Sequence, residues 1–331
     1  MYRDKVILIT GGTGSWGNEL SRQLLEKEPK EIRILSRGEL AQVTMERKFN
    51  DKRLHCLIGD IRDSDAVQYA AKGVDYIFHL AALKHVPVCE EQPQEAIKTN
   101  IVGTVNLINA AIENEVGKVI DVSTDKAVDP LNLYGMTKAV GERLIIQANK
   151  LMGDTRFVCI RAGNVLGSNG SVVPLFISQI KKFNTIRITN TEMTRYFFTL
   201  SQAIQLLFKA AEKSFGGETF VMKMPSCKII ELAKVLIEVY GNENTKVEII
   251  GQRPGEKIDE VLLSRYESGN AYYYDKNYFL ILPSLKVEGL IEHYGNYRDM
   301  KKVNFKEYTS RDELMNCNQI KAMLKKGGFI P

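Results

Sequence analysis

Short apolar runs bounded by polar turns recur through the first half of the chain, at Lys5–Thr10, Ile32–Ser36, Leu54–Ile58, Val74–Leu80, Val119–Ser123 and Phe157–Ile160. Runs this short with little polar interruption predict strands buried on both faces. Between them, over Asn18–Glu26, Glu39–Phe49, Glu95–Glu113 and Tyr134–Leu151, apolar residues return every three or four positions, which is the helical period. Parallel neighbours need long crossovers, so strand and helix in alternation predict an α/β fold, a doubly wound parallel sheet with helices on both faces. After Gly163 the rhythm loosens into shorter strands at Ile186–Thr189, Thr219–Lys223 and Val247–Ile250 with helices scattered among them. Residues 1–163 are therefore expected to form the sheet unit, and 164–331 mainly a smaller region lying over it, with some elements returning to the sheet. No repeat or low-complexity linker divides the two.

Composition narrows the class without naming a function. A chain of 331 residues with 45 basic and 40 acidic side chains, a net charge of +5 and no long run of one sign offers no stripe for nucleic acid. The five cysteines, Cys56, Cys89, Cys159, Cys227 and Cys317, are odd in number, widely spaced and free of C-x-x-C pairs, which excludes a disulfide framework and predicts no metal site. Charged residues lead directly into the first apolar run, without a signal-peptide layout, and no apolar stretch approaches the roughly 20 residues of a membrane helix. A cytoplasmic protein with no membrane contact is expected.

The first strand runs into Thr10-Gly11-Gly12-Thr13-Gly14-Ser15-Trp16-Gly17, with glycines at 11, 14 and 17 opening a helix. In the first strand–helix unit of a doubly wound sheet, such a turn lets backbone approach a pyrophosphate, and the helix start supplies unpaired N–H donors. The residues expected at a dinucleotide are Gly11, Thr13, Gly14, Ser15, Trp16 and Gly17. Ser36 and Arg37 end the second strand where an NAD site would carry an acid; an arginine there suits a 2′-phosphate, so NADP is the expected cofactor. Asp60 and Ile61, after the third strand, are placed to meet the adenine, although Asp60 could equally cap a helix together with Asp63.

The fifth apolar run ends in Ser123-Thr124-Asp125-Lys126, and a helix opens soon after with Tyr134-Gly135-Met136-Thr137-Lys138. A spacing of four puts Tyr134 and Lys138 on one helix face, where the ammonium favours the phenolate of a tyrosine acting as a base. With Thr124 at the preceding strand end and the glycine turn upstream, the chain resembles the short-chain dehydrogenase/reductase superfamily and its Rossmann-type domain. The segments 81–87, 123–126, 163–165, 170–174, 193–195 and 253–257 sharpen the likeness almost end to end. They resemble the inverting UDP-N-acetylglucosamine 4,6-dehydratases, which open pathways to pseudaminic acid or fucosamine-type amino-sugars. That resemblance implies residues 1–163 as the NADP-binding domain and 164–331 as mainly the UDP-sugar-binding region. It implies Asp125 as the acid for the departing C6 hydroxyl and Lys126 as the base at C5. Tyr134, Thr124 and Lys138 would serve oxidation at C4. It adds Leu80, Ala81, Lys84, Asn100 and Val165, with Tyr134 and Lys138, to the cofactor site. For the sugar nucleotide it implies Lys84, Asn164, Asn169, Gly170, Ser171, Val172, Thr189, Arg195, Arg253 and Glu256. The product would be UDP-2-acetamido-2,6-dideoxy-β-L-arabino-hex-4-ulose, made by a homo-oligomer, a dimer or hexamer.

Three positions depart from the family pattern: Gly38 in place of an acid after Arg37, Ala162 in place of an aromatic before Gly163, and Asn169 in place of an arginine before Gly170. His79 and His85 are expected to be structural. For Lys126 to act as a base it must be partly neutral, and burial beside Lys138 and Lys84 is expected to lower its pKa towards roughly 7 to 8. Two other readings remain: a UDP-sugar 4-epimerase, which needs Tyr134 and Lys138 but neither Asp125 nor Lys126, and a non-catalytic NADP sensor, which would lack the tyrosine and lysine.

Overall fold

The structure, a computed structural model, describes residues 1–151, 153–167, 171–295 and 300–331. Its first half alternates β1 (Val6–Thr10), α1 (Ser15–Leu25), β2 (Glu31–Ser36), α2 (Glu39–Phe49), β3 (Leu54–Ile58), α3 (Ser64–Ala71) and β4 (Tyr76–His79). Then follow α4 (Val86–Glu91), α5 (Pro93–Ile97), a π-helical stretch (Lys98–Val102), α6 (Gly103–Glu113), β5 (Lys118–Thr124), α7 (Leu133–Ala148) and β6 (Arg156–Ala162). All six strands lie where the apolar runs predicted them. The run over 95–113 is not one helix: α5 and α6 are joined through the π-helical stretch, whose extra residue per turn carries Asn100 inward. Asn100 Nδ2 donates to Leu83 O and to Thr137 Oγ1, and its Oδ1 accepts from Leu83 N. The loop after β4 is thereby fastened to α7.

The second half contains β7 (Asn164–Val165), α8 (Val172–Phe183), β8 (Thr185–Ile188), β9 (Thr194–Phe198), α9 (Leu200–Lys213), β10 (Thr219–Met222), β11 (Ser226–Lys228) and α10 (Ile229–Tyr240). It closes with β12 (Lys246–Ile249), β13 (Val261–Leu263), β14 (Ala271–Tyr273), β15 (Tyr278–Ile281), α11 (Leu290–Gly295), β16 (Tyr308–Thr309) and α12 (Cys317–Lys326). The large sheet has nine strands in the order β14-β15-β10-β6-β5-β4-β1-β2-β3. Strands β1 to β6 and β10 are parallel, and β15 and β14 add antiparallel at the edge. Ile7, Leu8, Ile9, Ile77, Phe78, Val119, Ile120, Phe157 and Val158 are fully buried in its middle strands, as expected of a sheet covered on both faces. A separate core under α8, α10 and α12, built on Phe176, Ile186, Phe197 and Leu232, carries two smaller sheets, β11-β9-β7 and β12-β8.

Two glycines set the backbone approaches on which the site depends. A Cβ at Gly17 would stand 2.1 Å from Gly12 O, so no other residue lets α1 start so close to the turn. A Cβ at Gly135 would stand 2.1 Å from Lys126 O, so the first turn of α7 rests directly on the backbone that carries Lys126. No helix of the described residues is long and apolar enough to cross a membrane.

Candidate active site

The carboxyl ends of the parallel strands open onto three adjoining cavities. The first, about 390 Å³, is lined by Gly11, Thr13, Ser36, Arg37, Asp60, Ile61 and Ala81. A second, about 520 Å³, runs from Gly11, Gly14, Ser15, Trp16 and Gly17 past Leu80, Ala81 and Lys84 to Thr124, Lys126, Tyr134, Lys138 and Val165. Gly14 caps α1 with no side chain bonded to the helix start, which leaves the first-turn N–H groups for an anion. Every residue expected at the dinucleotide lines one of these two cavities except Asn100, which acts one step back through Leu83. Asp63, not Asp60, caps α3, accepting from Asp65 N and Ala66 N, while Asp60 is paired with Arg62. Gly38 caps α2 without a side-chain bond, and a Cβ there would meet nothing nearer than Ala41 Cβ at 3.7 Å, so the missing acid leaves open space.

The third cavity, about 530 Å³, is lined by Lys84, Glu90, Lys126, Asn164, Arg195, Arg253, Glu256 and Glu260. Its loop is anchored to the reaction centre: Asn132 Nδ2 donates to Gly255 O at 3.0 Å, and Lys257 Nζ donates to Val128 O. Arg195 stands in the wall, but its guanidinium already donates to Thr194 O, Lys257 O and Ile258 O. Arg253 is exposed at the rim. Ser171, Val172 and Thr189 line none of the three cavities: Ser171 stands at the N-cap of α8 and Thr189 Oγ1 donates to Met193 Sδ. Asn169 and Gly170 lie outside the described residues.

Lys126 lines both the second and the third cavity, at the point where they meet. It sits in a single 3₁₀ turn, Asp125–Ala127, that continues β5. Thr124 Oγ1 caps this turn from Lys126 N and donates to Asp125 Oδ1 at 2.8 Å. Lys126 Nζ lies 3.0 Å from Asp125 Oδ1 and 3.2 Å from Glu260 Oε1. The expected lowering of the Lys126 pKa is therefore corrected. Burial does press it down, but the carboxylates of Asp125 and Glu260 outweigh burial and Arg195 together, and the ammonium is held above its ordinary range. Lys138 and Lys84 are not the neighbours that decide it. Burial raises the Asp125 carboxyl, against the pull of Lys126, which suits a group that carries a proton.

Lys138 Nζ is paired with buried Asp121 at 3.2 Å, and this keeps it an ammonium although burial opposes the charge. Tyr134, half-buried, is raised by burial; Lys138, Lys126 and the Thr124 hydroxyl all favour the phenolate without overcoming that. His79 is structural as expected: burial pushes it down to about 4, and its ring nitrogens meet Thr10 Oγ1 and Thr104 Oγ1. Asp121 and Glu260 were missed from the sequence. Asp121 carried one signal, an acid inside an apolar strand; Glu260 carried none, because its partners come from distant segments. No group of three or more His, Cys, Asp or Glu among the described residues is arranged to hold a metal.

Several known proteins are similar to the chain. A UDP-N-acetylglucosamine 4,6-dehydratase (inverting) of Campylobacter jejuni is 44% identical over 291 residues, covering 87% of this chain and 85% of its own. A UDP-glucose 4-epimerase of Rickettsia massiliae is 41% identical over 334 residues, covering 98% of this chain and 96% of its own. The X-ray structure of Pen from Bacillus thuringiensis superposes with a TM-score of 0.91 at 39% identity, covering 100% of this chain and 99% of that one. The family model described as polysaccharide biosynthesis protein matches residues 7–281, from β1 to the end of β15, and the chain belongs to that family.

Proposed function

We propose that the chain is an NADP-dependent UDP-N-acetylglucosamine 4,6-dehydratase that inverts C5. The observation that carries this reading is the Asp125–Lys126 turn beneath Tyr134, whose Lys126 lines both the dinucleotide and the sugar cavity and pairs at 3.0 Å with buried Asp125, where an epimerase has no use for an acid and a base. The 44% identical inverting dehydratase supports it. In this reading Tyr134, with Lys138 and Thr124 beside it, takes the proton of the C4 hydroxyl. A nicotinamide dinucleotide held at the glycine turn by its pyrophosphate would supply the chemistry of taking a hydride from C4 and returning it to C6. The C4 ketone makes the C5 proton acidic; Lys126 removes it while Asp125 delivers a proton to the leaving C6 hydroxyl. Reprotonation of C5 on the face opposite the one Lys126 has deprotonated gives the L-configured sugar. Arg253 and Glu256 at the rim suit a diphosphate and a ribose.

Incubation with UDP-N-acetylglucosamine in D₂O tests the reading. The expected product is a 4-keto-6-deoxy sugar with deuterium at inverted C5 and no net reduced cofactor. A C4 epimer with no loss of water would overturn it in favour of the epimerase. Exposed apolar side chains on the outer faces of α6 and α7, Val105, Met136 and Val140, support a homo-oligomer. UDP-sugars and NADP are cytoplasmic solutes, and the cytoplasm is where we place the enzyme.

NADP is chosen over NAD because Arg37 borders the first cavity beside Ser36, with Gly38 in place of an acid after it. Titration of both cofactors should show tighter binding of NADP. Arg37→Ala should weaken NADP roughly 10- to 100-fold, the worth of a hydrogen bond between charged groups, and leave NAD unchanged. Equal affinities in the parent would remove the assignment.

A further inference from the structure

The acid–base turn is closed on its far side by a carboxylate with no assigned role. Glu260 precedes β13 and is almost wholly buried, at 2% exposure. Its backbone is fixed at both ends by one residue: Glu260 N donates to Ser310 Oγ and Glu260 O accepts from Ser310 N, each at 2.8 Å. Ser310 is itself bonded to Thr194 on β9. Glu260 Oε1 then lies 3.2 Å from Lys126 Nζ and 3.3 Å from Arg195 Nε, while Oε2 is buried without a hydrogen-bond partner among the described residues. Four charges thus alternate in one line, Asp125, Lys126, Glu260, Arg195, and the line ends in the sugar cavity.

We propose that Glu260 is a positioning residue of the reaction centre, which holds the Lys126 amine in place and, by its charge, sets how readily that amine gives up its proton. The inference rests on the dehydratase reading for what Lys126 does, though not for where Glu260 stands. An ammonium between two carboxylates cannot remove a proton from carbon until one of them has taken its own. Asp125 is the suited acceptor: its Oδ1 is 3.0 Å away and burial disfavours its anion. The N–H bond of Lys126 breaks as the O–H bond of Asp125 forms, the pair becomes neutral, and acid and base are readied in one transfer. Glu260 stays anionic because Arg195 is its second counter-ion. It keeps an acceptor on the amine, and it stabilises the ammonium formed again when the C5 proton arrives. The charged or titratable groups facing Lys126 are Asp125, Tyr134, Arg195, Lys257 and Glu260. Of these, Asp125 and Glu260 are the acids that favour its charge.

The test reads the amine in the resting enzyme, without substrate. Lys126 lines two open cavities, so its acylation by dilute N-acetoxysuccinimide at a fixed, mildly alkaline pH, followed by peptide mass spectrometry, reports the fraction of neutral amine. Loss of one adjacent charge is worth about one pKa unit or more, so Glu260→Gln should label Lys126 about tenfold faster, while its turnover falls at least tenfold. Glu260→Asp keeps the charge but withdraws it by one methylene, so labelling should stay near the parent while turnover still falls several-fold. Circular dichroism reports any loss of fold; if the Gln variant fails to fold, the Asp variant decides. Unchanged Lys126 labelling in folded Glu260→Gln, or parental turnover in Glu260→Asp, would overturn the proposal. A parent that removes no water from UDP-N-acetylglucosamine would instead sink the dehydratase reading and leave the labelling comparison to judge Glu260 by itself.

Discussion

Lys126→Ala should stop water loss while the first oxidation still runs. Tyr134, Thr124 and Lys138 remain in place, so the C4 hydroxyl can still lose its proton. The C5 proton then has no acceptor, and Asp125 loses the neighbour 3.0 Å away that steadies its charge. General acid–base groups contribute about 10² to 10⁴ in rate, and a loss of that size is expected in product formation. The signature is specific: on mixing with UDP-N-acetylglucosamine, the absorbance of reduced nicotinamide should rise and persist, and sugar recovered from D₂O should carry no deuterium at C5. Activity within a few-fold of the parent would make Lys126 a structural member of the charge line and return the epimerase reading to first place.

Tyr134→Phe should block the reaction one step earlier. The hydroxyl is the group beside Thr124 and Lys138 able to receive the C4 proton, and removing it leaves the glycine turn and the Lys138–Asp121 pair untouched. A loss of about 10² to 10⁴ is again expected, with cofactor still bound and no transient reduced nicotinamide. The pH dependence carries a sign. Because burial holds the phenol above its ordinary value, the parent rate should climb with pH across the neutral and mildly alkaline range as the base form is reached. In Tyr134→Phe that climb should vanish from the residual rate. A variant that still produces the absorbance rise at the parent rate would exclude Tyr134 as the base.

Much of this site was legible in the chain because its signals are local. The glycine turn, Arg37 at a strand end and the four-residue step from Tyr134 to Lys138 each need only neighbouring positions and one element type. The strands were legible because runs buried on both faces are apolar throughout. Helices α3 and α4 were not: one is short, and the other, Val86–Glu91, contains Pro87 in its first turn and shows too few residues for a period. The ionisation of Lys126 was misjudged for a different reason. Besides adjacent Asp125, the charge of Glu260 raises its pKa, and a serine just after β16 brings Glu260 to the amine, a meeting that no spacing in the sequence encodes. The likeness to sugar-nucleotide enzymes put Arg195 among the residues for the sugar nucleotide; in the fold it lines the third cavity with its guanidinium bonded to backbone carbonyls at 257 and 258.

The direct pairing of β10 with β6 bears on whether the chain can be divided. Thr219, Phe220 and Val221 are hydrogen-bonded rung by rung to Cys159, Ile160 and Arg161, and β15 and β14 extend the same ladder. Cutting the chain after β6 would strip the flank from a parallel strand whose side chains are made for the interior, leaving an open apolar edge prone to self-association. Residues 1–163 are therefore not a unit that could be detached from the rest of the chain with its sheet intact.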